Sequence, residues 1–338
     1  MREKLQTDFE RLLASYLHDP KEENLYGVQQ LNKWIMDQKI PPDEVLNHYI
    51  ETLKKLIPDL HSDVKTSFDL LLEVMVGYGV QYRVDKNIAT RHQELEDEIE
   101  VAVHLQRTLL PESPPPLKGV DLGVASYASK TMSGDYYNFV QYGDGVLGIA
   151  IADIIGKGIP AALCMSMIKY SMDDMDYHQP EPSEILQELN TVVERNILPN
   201  MFITMVYGVY DSLNHSFRYA TAGHEPGFIY RAGTDRFEDM DTQGLVLGVT
   251  SHVEYPEFQL HLAEGDVIIL LTDGVTETRF DGEFIERSDF CELAKKYLHL
   301  PAQEIAEKVY KRIYELSGYQ MLDDQTIIVI KRVGKDKL

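Results

Sequence analysis

Apolar side chains recur every three or four positions through the first part of the chain, in four stripes. They are Leu5, Phe9, Leu12, Leu13 and Tyr16; Leu25, Val28, Leu31, Trp34 and Ile35; Val45, Leu46, Tyr49, Leu53 and Leu56; and Leu60, Val64, Phe68, Leu71 and Met75. This is the spacing of a helix with one buried face. Asp19-Pro20, Pro41-Pro42 and Pro58 separate the stripes, and proline suits a helix start better than its interior. The pattern predicts an antiparallel four-helix bundle over residues 1–84. No glycine loop or titratable cluster interrupts it, so it reads as a dimerisation or partner-binding module.

Over residues 85–110 the period changes. Ile88, His92, Leu95, Ile99, Ala102, Gln106 and Leu109 alternate steps of four and three, a heptad seam. So narrow an apolar line predicts a helical linker stabilised as a coiled coil with a second copy, although His92, Ala102 and Gln106 weaken it; packing on the neighbouring domain is the alternative. Pro111 and Pro114-Pro115-Pro116 end the helix.

From residue 117 onward, short apolar runs punctuated by glycine predict strands at Val120–Tyr127, Tyr136–Tyr142, Val146–Ala152, Phe202–Tyr210, Phe217–Ala222, Gly227–Tyr230, Val267–Leu271 and Thr326–Lys331. Gly143-Asp144-Gly145 and Asp211–Asn214 carry hairpin signals. Helical patterns intervene at Gly158–Asp174, Pro182–Asn196 (with Ser183 as its expected N-cap), Glu286–Leu298 and Pro301–Leu316. The expected class is α+β, antiparallel sheets covered by helices, with this domain spanning 111–335.

Composition narrows the function. The 338 residues carry 32 Lys and Arg against 55 Asp and Glu, a formal net charge of −23 spread over both halves, which disfavours nucleic acid and anionic membranes as direct partners. Two cysteines, Cys164 and Cys291, are too few for a disulfide framework or a thiolate metal cage. The start MREKLQTDFE lacks the apolar core of a signal peptide, and no run reaches the roughly 18 to 20 apolar residues of a membrane span, so a reducing cytoplasm is the expectation.

Candidate chemistry lies in aspartates at the ends of apolar runs: Asp135, Asp153, Asp273 and the Asp323-Asp324 pair. Carboxylates desolvated at strand ends repel unless compensated, and Lys157 is the nearest basic residue in sequence. Hard oxygen ligands without His or Cys suit magnesium, manganese or calcium. Each aspartate alone also fits a turn or cap. Ile155-Gly156-Lys157-Gly158 lacks the Ser or Thr and the upstream glycine of a P-loop. There is no G-x-S-x-G elbow, and His224 reads as a hydrogen-bonded loop residue rather than a general base. Asp273 lacks the second Asp expected of an aspartyl-phosphate nucleophile, and both cysteines read as core residues.

The ordered series Ser133-Gly134-Asp135-Tyr136-Tyr137, Ala152–Gly158 followed by Pro160-Ala161-Ala162-Leu163, Phe202-Ile203-Thr204-Met205, Thr221–Pro226, Gly244–Gly248, Thr272–Glu277 and Asp323-Asp324-Gln325-Thr326 resembles the PPM-type bacterial serine/threonine phosphatases of the SpoIIE class. The resemblance implies a PPM αββα sandwich of two antiparallel sheets. It also implies a site for two divalent cations, manganese or magnesium, which lower the pKa of a bridging water, orient it in line and neutralise phosphate oxygens without a covalent intermediate. Carried over, Asp153 bridges both cations with the Ile154 backbone carbonyl beside it, Asp135 binds directly or through water, and Asp273 with Asp323 or Asp324 completes the set. Asn138 departs from the Asp found there in many relatives and puts a further metal site in doubt. The implied substrate is a phosphoserine on a small STAS-fold, RsbV-like anti-sigma-factor antagonist. Relatives with a helical N-terminal half dimerise through it and are activated by RsbT, a kinase-like stress protein; here Ile88, Leu95, Ile99, Ala102 and Leu109 form the expected regulatory linker. Another phosphoprotein substrate, or a non-catalytic phosphoprotein-binding role, is the alternative.

Overall fold

The computed structural model describes residues 2–156, 158–175, 181–198, 201–280 and 283–334. The chain divides into two compact units, Met1–Ile99 and Glu100–Leu338. In the first, α1 (Arg2–His18), a short 3-10 turn (Glu22–Leu25), α2 (Tyr26–Asp37) and α3 (Pro42–Leu56) precede α4 (Ser62–Leu109). Leu5, Leu31 and Ile40 form a small buried centre, flanked by Phe9, Leu12, Trp34, Ile35 and Val45. Arg83 donates to both oxygens of Asp43 at 3.0 Å, tying α4 to the start of α3. The fourth bundle helix and the linker, expected as separate elements, are one helix of 48 residues that crosses the boundary between the units. No proline lies between Pro58 and Pro111, so nothing in the backbone breaks it. The predicted fourth stripe is only partly covered: Phe68 and Met75 are half-buried, whereas Val64 and Leu71 are exposed.

The second unit is four-layered. One five-stranded sheet has the order β1 (Val120–Tyr127), β12 (Gln325–Arg332), β9 (Val267–Leu271), β6 (Phe228–Arg231), β7 (Arg236–Asp239). The other has the order β2 (Asp135–Gln141), β3 (Val146–Ile154), β4 (Ile203–Asp211), β5 (Ser216–Ala222), β8 (Phe258–His261), and the strand pairs of both are antiparallel. Alternation along each strand divides the core. Ile149, Ile151, Ile268, Leu270 and Ile328 fill the layer between the sheets. Ala150 and Ala152 on the opposite face meet α5 (Ile159–Asp174) and α6 (Pro182–Asn196) through Met165, Ile168 and Leu186. Ile269 and Val329 meet α8 (Arg287–Lys295) and α9 (Ala302–Leu316) through Phe290, Ile305 and Val309.

All eight predicted strands are present with ends within two residues. The periodicity missed β7 and β8, which unlike the equally short β6 contain no fully buried residue, and the strands β10 (Arg279–Phe280) and β11 (Glu283–Phe284), whose two residues cannot show alternation. Ser183 is not the N-cap of α6: Pro182 takes the first helical position behind Glu181, and the Ser183 N–H donates to Glu257 at 2.9 Å. Cys164 is buried as expected, and Cys291 is half-buried against the α8–α9 layer.

β1 is a sheet edge, and its outward Val124 N–H and C=O are paired by one side chain. Gln303 on α9 accepts from the Val124 N–H and donates to its carbonyl, both at 2.9 Å, while Asp121 accepts from the Ala302 N–H at 2.7 Å. His224 joins the sheets: its Nε2–H donates to the Leu271 carbonyl of β9 at 3.1 Å, and its Nδ1 accepts from the Thr204 hydroxyl of β4 at 2.8 Å. Burial pushes the imidazole down to about 4, so it is neutral, and the reading of His224 as a hydrogen-bonded residue holds.

Replacing Gln303 with Met strands two backbone groups, and equilibrium urea unfolding is expected to show a loss of about 1–3 kcal/mol. His224 makes stability pH-dependent. The unfolded chain takes up its proton below about pH 6.5 and the folded one only near 4, so stability falls as pH is lowered through that window. Lowering pH from 7 to 5 is expected to cost about 2 kcal/mol through this residue. His224→Gln should show a correspondingly shallower pH slope in the same assay.

Candidate active site

Antiparallel pairing places Asp135, at the start of β2, directly opposite Asp153, near the end of β3. Both lie on the face that carries Tyr137, Ile149 and Ile151 toward the other sheet. That sheet contributes Thr272 at the end of β9 and Thr326 at the start of β12. Both hydroxyls donate to Asp135 Oδ2, at 2.8 and 2.7 Å, and the Thr326 N–H in turn donates to the Thr272 hydroxyl at 3.0 Å. Among the described residues no hydrogen bond engages Asp135 Oδ1.

Asp273 begins the one-turn helix α7 (Asp273–Thr276), and Asp323-Asp324 immediately precedes β12. Gly274 lets these segments touch, because a Cβ there would lie 2.0 Å from the Asp324 carbonyl oxygen. Gln325 holds the same junction by donating to the Gly274 carbonyl at 2.9 Å and to the Thr278 hydroxyl at 2.8 Å. The two members of the Asp pair differ. Asp324 is buried and its carboxylate is committed: Oδ1 accepts from the Ser129 N–H and hydroxyl at 2.6 and 2.8 Å, and Oδ2 from the Gly134 N–H at 2.6 Å. It thereby fixes the segment that leads into Asp135. Asp323 is half-buried and lines an open cavity.

Charge accumulates here. Burial, then Asp153 and Asp324, holds the Asp135 carboxyl well above the usual range. Burial, then Glu277 and Asp323, raises Asp273. No ion pair among the described residues engages Asp135, Asp273 or Asp324; Lys157 lies outside the described residues. A set made only of carboxylate and carbonyl oxygens, with two carboxyls pushed toward protonation by burial and by neighbouring acidic side chains, fits hard divalent cations. Among the described residues no three of these side chains already converge as a ligand cluster.

Two residues outside the aspartate set bear on the site. Asn138 lies three positions along β2 from Asp135, so alternation puts it on the opposite face with Tyr136, where its Nδ2 is buried without a hydrogen bond. Gln106, read from the sequence as a weak seam position, is buried instead. Its amide accepts from the Ser133 N–H at 3.1 Å, donates to the Ser133 carbonyl at 2.8 Å, and lies 3.3 Å from Met165 Sδ on α5. Leu109 likewise packs against the α5–α6 layer, while Ile88, Leu95 and Ile99 are exposed and Ala102 is half-buried. The roles of Gln106, Thr272 and Thr326 escaped the sequence reading. Only the position of each threonine beside an aspartate motif could have signalled them.

The family profile described as stage II sporulation protein E (SpoIIE) matches residues 143–333, and that of the phosphoserine phosphatase RsbU N-terminal domain matches residues 7–81. Phosphoserine phosphatase RsbU of Bacillus subtilis is 43% identical over 331 residues, covering 98% of each chain. Protein IcfG of Synechocystis is 26% identical over 273 residues, 71% of this chain and 43% of that one. In fold, the SiaA-PP2C domain of Pseudomonas aeruginosa superposes with a TM-score of 0.61 at 19% identity, over 72% of this chain and 98% of that one. The RsbU and RsbW domains of Rv1364c from Mycobacterium tuberculosis give 0.59 at 22% identity, over 67% and 64%. With the aspartates at the open end of a two-sheet sandwich and this identity sustained along nearly the whole sequence, the chain belongs to the SpoIIE family of PPM-type serine/threonine phosphatases, in its RsbU branch.

Proposed function

We propose that this phosphatase removes phosphate from a phosphoserine on an RsbV-like STAS anti-sigma-factor antagonist, in the cytoplasm, and so releases a stress sigma factor. The observation that carries the catalytic part is the Asp135–Asp153 pair facing the inter-sheet layer, with Thr272 and Thr326 of the opposite sheet fixing one Asp135 oxygen. Asp153, the Ile154 carbonyl, Asp135 and Asp273 would hold two cations, manganese or magnesium. Asp323 is the ligand of its pair, since the Asp324 carboxylate is occupied with Ser129 and Gly134. When bound, such cations acidify water and neutralise phosphate oxygens. The chain's own part is positional: the threonines orient Asp135, Asp324 anchors residues 129–134, and Gly274 lets α7 rest on the β12 lead-in.

Regulation is assigned to the remaining parts: residues 1–84 bind an RsbT-like activator, 85–110 act as a linker, and 111–335 catalyse. Exposed Ile88, Leu95 and Ile99 support pairing of the linker with a second copy, giving a homodimer. Gln106 supports a route inward, because one amide contacts both Ser133, two residues before Asp135, and α5. Partner binding orders the paired linker, shifts α5 through this contact and completes the carboxylate site. A hundredfold activation needs a shift of only about 2.7 kcal/mol.

The first assay is phosphate release from a phosphorylated STAS protein with manganese, with and without the RsbT-like partner. Release is expected to depend on both the metal and the partner; an equal rate without the partner discards the switch. Asp153→Asn should lower kcat by about a thousandfold while leaving the urea midpoint in place, and activity retained at saturating manganese would refute its ligand role. Gln106→Leu and Ile99→Asp should each keep partner binding yet lose most of the stimulation. Unchanged activation in both variants would count against the linker route.

A further inference from the structure

Gly274 and Asp323 also line a cavity of about 290 Å³, whose walls include Glu277, Arg279, Phe284 and Leu322. Arg279 stands opposite Phe284 in the β10–β11 ladder, and its guanidinium carbon lies 5.1 Å from the ring centroid. A guanidinium resting on a ring uses its face, which leaves the N–H edge available. Among the described residues no hydrogen bond or ion pair engages Arg279. By contrast, Arg83, Arg231 and Arg287 are each bound to carboxylates.

An uncommitted fork of donors beside a carboxylate site, in a chain of net charge −23, is suited to a planar pair of anionic oxygens. Phe284 and Leu322 are 56% and 66% exposed on the same cavity, the kind of apolar rim that a bound protein segment covers. The cavity shares Asp323 and Gly274, the neighbour of Asp273, with the aspartate site, which argues for the reacting substrate as its occupant over a separate ligand.

We propose that the cavity seats the phosphoserine segment of the protein substrate, with Arg279 donating two N–H groups to phosphate oxygens and Phe284 and Leu322 contacting the flanking residues. The assignment rests on the catalytic reading of the aspartate site. Because Arg279 holds the substrate and not the attacking water, its loss acts on KM.

The test compares wild type, R279A, R279K and the remote surface variant R236A in manganese, using p-nitrophenyl phosphate and a phosphorylated RsbV-like STAS protein, with inorganic phosphate as inhibitor. R279A is expected to raise KM for both substrates and the inhibition constant for phosphate by about tenfold, with kcat changed less than threefold. R279K should recover part of the loss, and R236A should match wild type. Unchanged KM and phosphate inhibition in R279A would overturn the proposal. A KM change confined to the protein substrate would overturn the phosphate contact. No phosphate release by wild type from either substrate would overturn the catalytic reading itself, and the docking assignment with it.

Discussion

Asp135 is almost wholly buried where the two sheets part, with one oxygen held by Thr272 and Thr326 and with Asp153 directly across the ladder. A carboxylate in that position is costly unless its charge is met, and its neighbours make matters worse by adding charge of the same sign. The surroundings follow from that cost. Two hydroxyls donate to the carboxylate, Thr272 and Thr326, both from the opposite sheet. Repulsion that would weaken an ordinary core is what the binding of hard divalent cations, proposed above, would relieve.

Placing carboxylates from separate segments at one end of the sheets requires rigid supports, and β12 supplies much of this. It is a central strand between β1 and β9, and three consecutive residues at its entry do three jobs: Asp324, just before the strand, anchors the approach to β2, Gln325 holds α7, and Thr326 orients Asp135. Gly274 completes the arrangement by allowing backbone contact that any side chain would block. The site therefore draws on both sheets. Gln106 enters the same network through the Ser133 backbone, two residues before Asp135.

The arrangement suits a regulated phosphatase. The last turns of α4 belong to the catalytic unit through Gln106 and Leu109, whereas its middle keeps an exposed apolar line at Ile88, Leu95 and Ile99. One helix thus carries an exposed apolar line and a buried contact with the segment that leads into Asp135.

Much of this was legible in the sequence. Strand runs such as Val120–Tyr127 and Val267–Leu271 appear where apolar alternation and glycine turns place them, because a buried strand cannot hide its period. The aspartates were visible as polar residues ending apolar runs, and proline positions marked the helix starts at α3 and α6. Short strands such as β7 and β10 were not legible, since β7 buries no residue fully and β10 has only two residues, and the continuity of α4 was hidden by a change of period that breaks no hydrogen bond. The division of roles between Asp323 and Asp324, the hydroxyl pair on Asp135, the burial of Gln106 and the placement of Arg279 opposite Phe284 were decided only by tertiary structure. The physical reason is that local sequence sets which residues alternate and which turn. Whether a carboxylate or an amide meets a donor, another charge or open solvent depends on segments up to about two hundred positions away, joined only when the sheets pack.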